Sequence, residues 1–311
     1  MSKVVYVTGC LGFIGYHITK SCLDQGFYVV GVDKKTYASN INFLPQLLSS
    51  NRFKFIESDI NDLCSLLECD YVINTAAETH VDNSIVSSEV FLRSNINGVH
   101  KLLELIKQKS KKPIFLHFST DEVYGDIVEG SHTELDLLKP SNPYSASKAA
   151  ADMLILAWAR TYNVPYVIVR PTNNYGIGQY VEKFIPKACK HLMLGKKIVL
   201  HDQGLPRRTW LHVGDTASAI MTIIRAGVVN EIYNISGNYE DQNIVVAKKI
   251  LRTFGFHVTD NLTDGSEKRP GQDVRYSIND TKLKKLGWEP KAIFDEELFP
   301  IVDYYKNNFI W

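Results

Sequence analysis

The feature that most constrains this chain is a set of three glycines at three-residue spacing, Gly9-Cys-Leu-Gly12-Phe-Ile-Gly15. It follows directly on the apolar run Val4-Val-Tyr-Val7 and opens a segment, Ile14 to Leu23, with helical spacing that stops before Gly26. The spacing alone is common; the strand before it and the helix after it make it specific. Glycine is needed where backbone approaches a pyrophosphate closely. The helix N-terminus then offers unpaired N–H groups and a partial positive charge to that anion. Asp33 ends a second apolar run, Tyr28-Val-Val-Gly-Val-Asp33, where a carboxylate accepts bonds from both hydroxyls of a ribose. A carboxylate there repels a 2′-phosphate, so the pattern predicts NAD rather than NADP as cofactor.

The rest of the first half repeats the alternation. Phe53-Lys-Phe-Ile56, Tyr71-Val-Ile-Asn74, Ile114-Phe-Leu-His-Phe118 and Tyr166-Val-Ile-Val169 read as buried strands, and Val90 to Ile106 and Tyr144 to Tyr162 as helices. Strands alternating with helices predict an α/β fold with a Rossmann-type, doubly wound parallel sheet. This unit is expected to span 1–170 and to receive about 210–235 as well. After Arg170, glycines and prolines punctuate the pattern. A strand at Ile232-Tyr-Asn-Ile235 and a helix around Val245 to Phe254 remain. Residues 171–311 are expected to form a smaller, mixed substrate-binding portion.

Composition excludes several functions. A formal net charge of +1 implies no bulk attraction to nucleic acid or membrane. The basic run Lys107-Gln-Lys-Ser-Lys-Lys112 reads as a solvated helix end. No apolar run reaches membrane-spanning length. Strand-like sequence from Lys3 leaves no room for a signal peptide. The five cysteines are odd in number and form no C-x-x-C pair, which suits a reducing compartment and predicts a cytoplasmic protein. The nine histidines are scattered without metal-ligand spacing, so no metal is expected.

The chemistry is concentrated in two stretches. Tyr144 and Lys148 stand four apart and so share a helix face. An ammonium beside a phenol stabilises phenolate and makes the tyrosine a usable base. Thr120 ends the fifth strand, and open α/β sheets bind ligands at the carboxyl ends of their strands. Asp121 and Glu122 continue from that end. Two adjacent carboxyl groups repel each other, so one is kept protonated, supplying an acid and a base together. Hydride transfer alone needs no such pair; removing water from a carbon skeleton does. Asp59-Ile60 and Ala76-Ala-Glu-Thr79 follow the third and fourth strands, where they would line a bound cofactor; for Asp59 a loop-capping role is equally open.

On these residues the chain resembles the extended short-chain dehydrogenases/reductases, and within them the nucleotide-sugar 4,6-dehydratases acting on dTDP-glucose or UDP-glucose. The resemblance covers Thr8–Gly15, Val32–Tyr37, Ala76–Asp82, Ser119-Thr-Asp-Glu-Val-Tyr-Gly125, Asn142-Pro-Tyr-Ser-Ala-Ser-Lys148, Asn173–Gly176, Glu182–Pro186, Arg269-Pro-Gly271 and Leu286-Gly-Trp288. It implies NAD contacts from Gly9, Gly12, Phe13, Ile14, Gly15, Asp33, Asp59, Ile60, Ala76, Ala77, Thr79, Asn95, Ser119, Tyr144 and Lys148. It implies substrate contacts from Glu78, Thr120, Asn174, Lys183, Arg208, Asn243 and Arg275. The implied reaction oxidises C4 through Tyr144 and Thr120, removes the C5 proton with Glu122, protonates the departing 6-hydroxyl with Asp121, and returns hydride to C6. A homodimer built on the helices Val90–Ile106 and Tyr144–Tyr162 is implied too.

The chain departs from the family pattern at Cys10, usually glycine or alanine, and between Asp59 and Tyr71, where a helix is abbreviated. Val81-Asp-Asn-Ser84 is similar to UDP-glucose enzymes and Asn173-Asn-Tyr175 to dTDP-glucose ones. Three readings therefore stand at this point: a 4,6-dehydratase, a nucleotide-sugar 4-epimerase on the same scaffold, and a non-catalytic NAD-binding protein. The Asp121-Glu122 pair argues against the second, and the joint presence of Thr120, Tyr144 and Lys148 against the third.

Overall fold

Seven strands build the central sheet: β1 Val4–Thr8, β2 Tyr28–Asp33, β3 Phe53–Glu57, β4 Tyr71–Asn74, β5 Ile114–Phe118, β6 Tyr166–Pro171 and, later in the chain, β10 Glu231–Ile235. Their order is β10-β6-β5-β4-β1-β2-β3, and every pairing is parallel. The computed structural model describes residues 2–257, 261–264, 270–271 and 273–308; Arg269 of the Arg-Pro-Gly motif lies outside them. The doubly wound parallel sheet expected from the alternation is the one observed.

Side chains alternate across the sheet, as strand geometry requires. Val5, Val7, Val29, Leu116 and Val167 join one core, under helices α1 (Phe13–Asp24) and α8 (Val213–Ala226). Tyr6, Val30, Phe115 and Ile168 join the other, under α5 (Gly98–Lys107) and α6 (Pro143–Tyr162). Both faces being covered explains why the strands read as near-continuous apolar runs. Short helices α2 (Phe43–Leu48), α3 (Val81–Val86) and α4 (Glu89–Phe91) fill the connections. Between β3 and β4 there is a single 3₁₀ turn, Ile60–Asp62, in keeping with the abbreviated spacing.

Helix α6 begins where the sequence says it must. Asn142 is its N-cap and shares reciprocal side-chain bonds with Ser145, while Pro143 takes the first turn, where its missing N–H costs nothing. The helix expected from Val90 to Ile106 is continuous but not uniform: Leu92–Asn97 winds as a π-helix between α4 and α5. The extra residue per turn swings Asn95 inward, where it is fully buried.

A second layer holds β7 (Asn173–Tyr175), β9 (Arg207–His212) and β11 (Tyr239–Gln242) in one sheet, and β8 (Ile198–Leu200) with β12 (Leu262–Asp264) in another. With α7 (Phe184–Met193), α9 (Asn243–Phe254) and the helix Phe294–Asn307 they enclose a third core, centred on Tyr175, Trp210 and Phe294. Among the described residues no helix is long and apolar enough to cross a membrane, and no group of three or more His, Cys, Asp or Glu is placed to hold a metal ion.

Candidate active site

The chain winds from β1 to β3 in one direction and resumes at β4 on the opposite side of β1. In such sheets the crevice at this reversal, beyond the carboxyl ends of the strands, is the ligand site. A cleft of about 300 Å³ lies there.

Its floor is the glycine turn. Gly9 has φ +72, and a Cβ there would stand 2.8 Å from the Ala76 nitrogen. A Cβ on Gly15 would stand 2.0 Å from the Gly9 carbonyl oxygen, so the turn seats directly on its helix. Helix α1 starts at Gly12 with no side-chain cap and no acidic residue in its first turn. Its first amides are left for an anion, and Gly9, Gly12, Phe13, Ile14 and Gly15 all border the cleft. Asp33 borders it too. Its carboxylate accepts from the Leu11 and Lys35 amides at 3.0 and 2.8 Å and from Ser39 Oγ at 2.9 Å. A carboxylate has roughly four acceptor sites, so these three donors leave it with acceptor capacity toward the cleft. These features fit a bound dinucleotide.

Asp59 and Ile60 line the same end. Asp59 caps the 3₁₀ turn through Asn61 and receives Lys34 at 3.3 Å, so it both caps the loop and walls the cleft. Burial opposes its charge, but the Asn61 bonds and Lys34 hold its carboxyl below the usual range. Ala76, Ala77, Glu78 and Thr79 form the wall beyond β4. Asn95 stands behind that wall: it brackets the Glu78 peptide with bonds of 2.9 Å to its N–H and its carbonyl, and donates to Ser147 Oγ.

At the far end β5 delivers Ser119, Thr120, Asp121 and Glu122, and α6 delivers Tyr144, all but Glu122 buried. Thr120 Oγ1 donates to Asp121 Oδ1 at 3.2 Å and accepts from the Glu122 amide at 3.3 Å. Asp121 Oδ2 is buried with no hydrogen-bond partner among the described residues. Burial, and then the Glu122 charge, push the Asp121 carboxyl up to about 8, so it holds its proton at neutral pH. Glu122 Oε2 accepts from the Asn142 amide at 3.5 Å and lies 3.4 Å from Tyr276 Oη, whose one proton goes to Asp273. One protonated carboxyl thus stands beside a second within reach of Asn142.

Tyr144 differs from expectation. The i, i+4 spacing predicts a phenol eased toward ionisation by Lys148. Instead burial, then Glu122, push it above its ordinary value, and the bond with Thr120 offsets this only in part. Lys148 is buried behind the cleft and does not line it. Its Nζ lies 3.4 Å from His117 Nε2, and burial brings it down to about 8 against the pull of Asp152.

The expected substrate contacts divide. Glu78, Thr120, Asn174 and Lys183 line the cleft; Arg208, Asn243 and Arg275 do not. Arg275 spends its fork on Glu240, at 2.7 and 3.0 Å. Arg208 stacks on Tyr276 at 4.6 Å and donates to the Asp273 carbonyl, close enough to Asp121 to oppose the rise of its carboxyl. Sequence reading missed other walls: Thr36, Ala38 and Ser39 after β2, Ser58 after β3, and Thr172, Gln179, Tyr180 and Glu182 after β6. Tyr37 does not line the cleft but touches two residues that do, bonding Glu78 at 3.2 Å and meeting the Tyr180 ring edge-on at 5.5 Å. The usable signal was position, since each follows the carboxyl end of a parallel strand.

A dinucleotide crevice that ends in a Thr-Asp-Glu-Tyr cluster places an acid–base pair beside a hydride-transfer site. Comparison narrows the class. The GDP-mannose 4,6 dehydratase family model matches residues 6–299, and the chain belongs to that family. It is 38% identical to the dTDP-glucose 4,6-dehydratase of Streptomyces niveus, over 99% of this chain and 94% of that one. It is 39% identical to a trifunctional UDP-glucose 4,6-dehydratase/3,5-epimerase/reductase of Arabidopsis thaliana; it spans about half, 48%, of that longer protein. The dTDP-glucose 4,6-dehydratase of Streptomyces venezuelae, crystallised with NAD and a second ligand, superposes with a TM-score of 0.93 at 34% identity, over 98% of this chain and 97% of that one.

Proposed function

We propose that the protein is an NAD-dependent hydro-lyase that dehydrates a nucleoside-diphosphate glucose, dTDP-glucose or UDP-glucose, to the 4-keto-6-deoxy sugar. The observation that carries this reading is the buried Asp121 adjoining Glu122 in one cleft with Thr120 and Tyr144, where burial and the Glu122 charge favour a protonated Asp121. NAD, when bound on the glycine turn, supplies the hydride acceptor at C4, a positively charged ring, and the hydride that C6 receives. Tyr144 takes the 4-hydroxyl proton, with Thr120 hydrogen-bonding that oxygen. A positive charge near the phenol would oppose the effect of Glu122 and ease its ionisation. The resulting ketone acidifies C5–H. Glu122 removes that proton, and Asp121 gives its own to the departing 6-hydroxyl. A 4-epimerase needs neither carboxyl group.

Isotope tracing tests this. Deuterium at C4 of the glucose is expected at C6 of the same product molecule, with solvent deuterium at C5 and one water lost. Label returned to C4 with no water lost would mean epimerisation. Running dTDP-glucose and UDP-glucose separately identifies the nucleotide.

The same reading makes the protein a homodimer. Val90, Leu92 and Met153 are about half exposed on α4, the π-helix and α6, the helices through which the family resemblance implies pairing. A mass of two chains by sedimentation at micromolar concentration is expected; one chain of 35.2 kDa refutes it. A cytoplasmic location goes with this reading and suits five free cysteines; finding the protein in a membrane or secreted fraction of its cells would count against it.

A further inference from the structure

Behind the cleft a chain of buried polar groups leads to Lys148, which stands four residues after Tyr144 on the same helix. Lys148 Nζ is 3.4 Å from His117 Nε2, His117 Nδ1 is 3.0 Å from the Asn74 amide nitrogen, and Asn74 Oδ1 is 2.6 Å from Thr8 Oγ1. It crosses from α6 through the adjacent strands β5, β4 and β1. His117 and Thr8 are fully buried, Asn74 and Lys148 nearly so. The imidazole is stacked on Phe115. A histidine that bridges two polar groups inside a sheet, out of reach of solvent, has its ring orientation fixed.

We propose that His117 is a positioning residue for the dehydratase reaction: it holds Lys148 on the Tyr144 side of α6 and keeps its nitrogen hydrogen-bonded in both protonation states. This rests on the function proposed above. With the amine neutral, the chain runs as drawn, from the Thr8 hydroxyl to the Asn74 oxygen, from the Asn74 amide to Nδ1, and from Nε2–H to the lysine. With the ammonium, Nε2 accepts, Nδ1–H donates to a turned Asn74 amide, and that amide donates to Thr8. Lys148 Nζ and both ring nitrogens keep a partner either way, which a buried imidazole requires. The ionisable groups on the elements around Lys148 are His117 on β5, Tyr144 and Asp152 on α6, Arg170 on β6 bound to Asp152, and the Asp121-Glu122 pair beside Tyr144. Burial and the neighbouring lysine hold His117 neutral, so its role is as acceptor and donor, not as a charge.

The test separates the two ring nitrogens. Glutamine at 117 reaches where Nε2 stands; asparagine reaches only where Nδ1 stands. In NAD-loaded protein labelled at lysine Cε, the Lys148 signal is assigned by its loss in Lys148→Arg and titrated by NMR. His117→Asn is expected to lower the Lys148 titration by about one pH unit, and to move the basic limb of the kcat profile down with it. His117→Gln is expected to leave both near wild type. In the wild type, ¹⁵N-histidine shifts are expected to show His117 exchanging tautomers as Lys148 titrates. A wild-type-like Lys148 titration in folded His117→Asn, or a His117 tautomer unchanged throughout, overturns the inference. If the wild type forms no 4-keto sugar, the function reading fails, and the lysine titration decides this inference alone.

Discussion

Glu122→Gln, given the sugar nucleotide, is expected to convert its bound NAD to NADH and stall there, while Tyr144→Phe leaves the cofactor oxidised. Both should lower turnover by roughly 10²–10⁴, yet absorbance at the NADH band separates them. In the proposed reaction the phenol acts at the first proton removal, the Glu122 carboxylate only after the ketone has formed. Asp121→Asn should stall with Glu122→Gln, since the leaving hydroxyl then lacks its acid. The wild-type rate should also fall as pH rises past about 8, where Asp121 loses the proton it must donate and Lys148 its charge, so whichever titrates first sets the limb. Equal NADH formation in the phenylalanine and glutamine variants would remove Tyr144 from the oxidation step.

The largest structural effect should come from a residue that touches no ligand. Arg170 is 2% exposed and binds the fully buried Asp152 through Nε and Nη2, at 3.1 and 2.9 Å, while Nη1 donates to Tyr124 at 2.7 Å. Asp152 also accepts from Ser119 at 3.1 Å, which ties the pair to the strand end carrying Thr120. Burial raises the Asp152 carboxyl, and Arg170 holds it back. Arg170→Met leaves a buried carboxylate without its counter-charge, which costs about 3–5 kcal/mol. In a chain of this size that lowers Tm by roughly 10 °C. Adding Asp152→Asn should recover part of the loss, because the two sites are coupled. A Tm unchanged by Arg170→Met would show that the pair contributes nothing net.

The sheet was legible because its signals are local. Val4–Val7, Gly9, Gly12, Gly15 and Asp33 sit within thirty-odd residues and obey steric and periodic rules that need no distant partner. The Ser119–Gly125 and Tyr144–Lys148 stretches were legible for the same reason: a strand end and a helix face are short-range objects. Less legible was where side chains point once the layers pack. Arg275 looked like a diphosphate ligand until β11 placed Glu240 against it. Arg208 was turned onto Tyr276 by the chain around Asp273. Tyr37 and Tyr180 meet although 143 positions separate them in the sequence.

Sequence by itself determined the doubly wound sheet, the anion-ready start of α1, and which carboxyl groups and phenol share the cleft as the proposed acid, base and phenol, since each depends on residues close along the chain. Only the tertiary structure decided the electrostatics. The same Tyr144 that spacing alone would make acidic is pushed the other way by burial and Glu122, and Lys148 is drawn back to His117 and Asp152. Desolvation and charge act through space and depend on which strands lie side by side, and β5, β4 and β1 become neighbours only when the sheet closes.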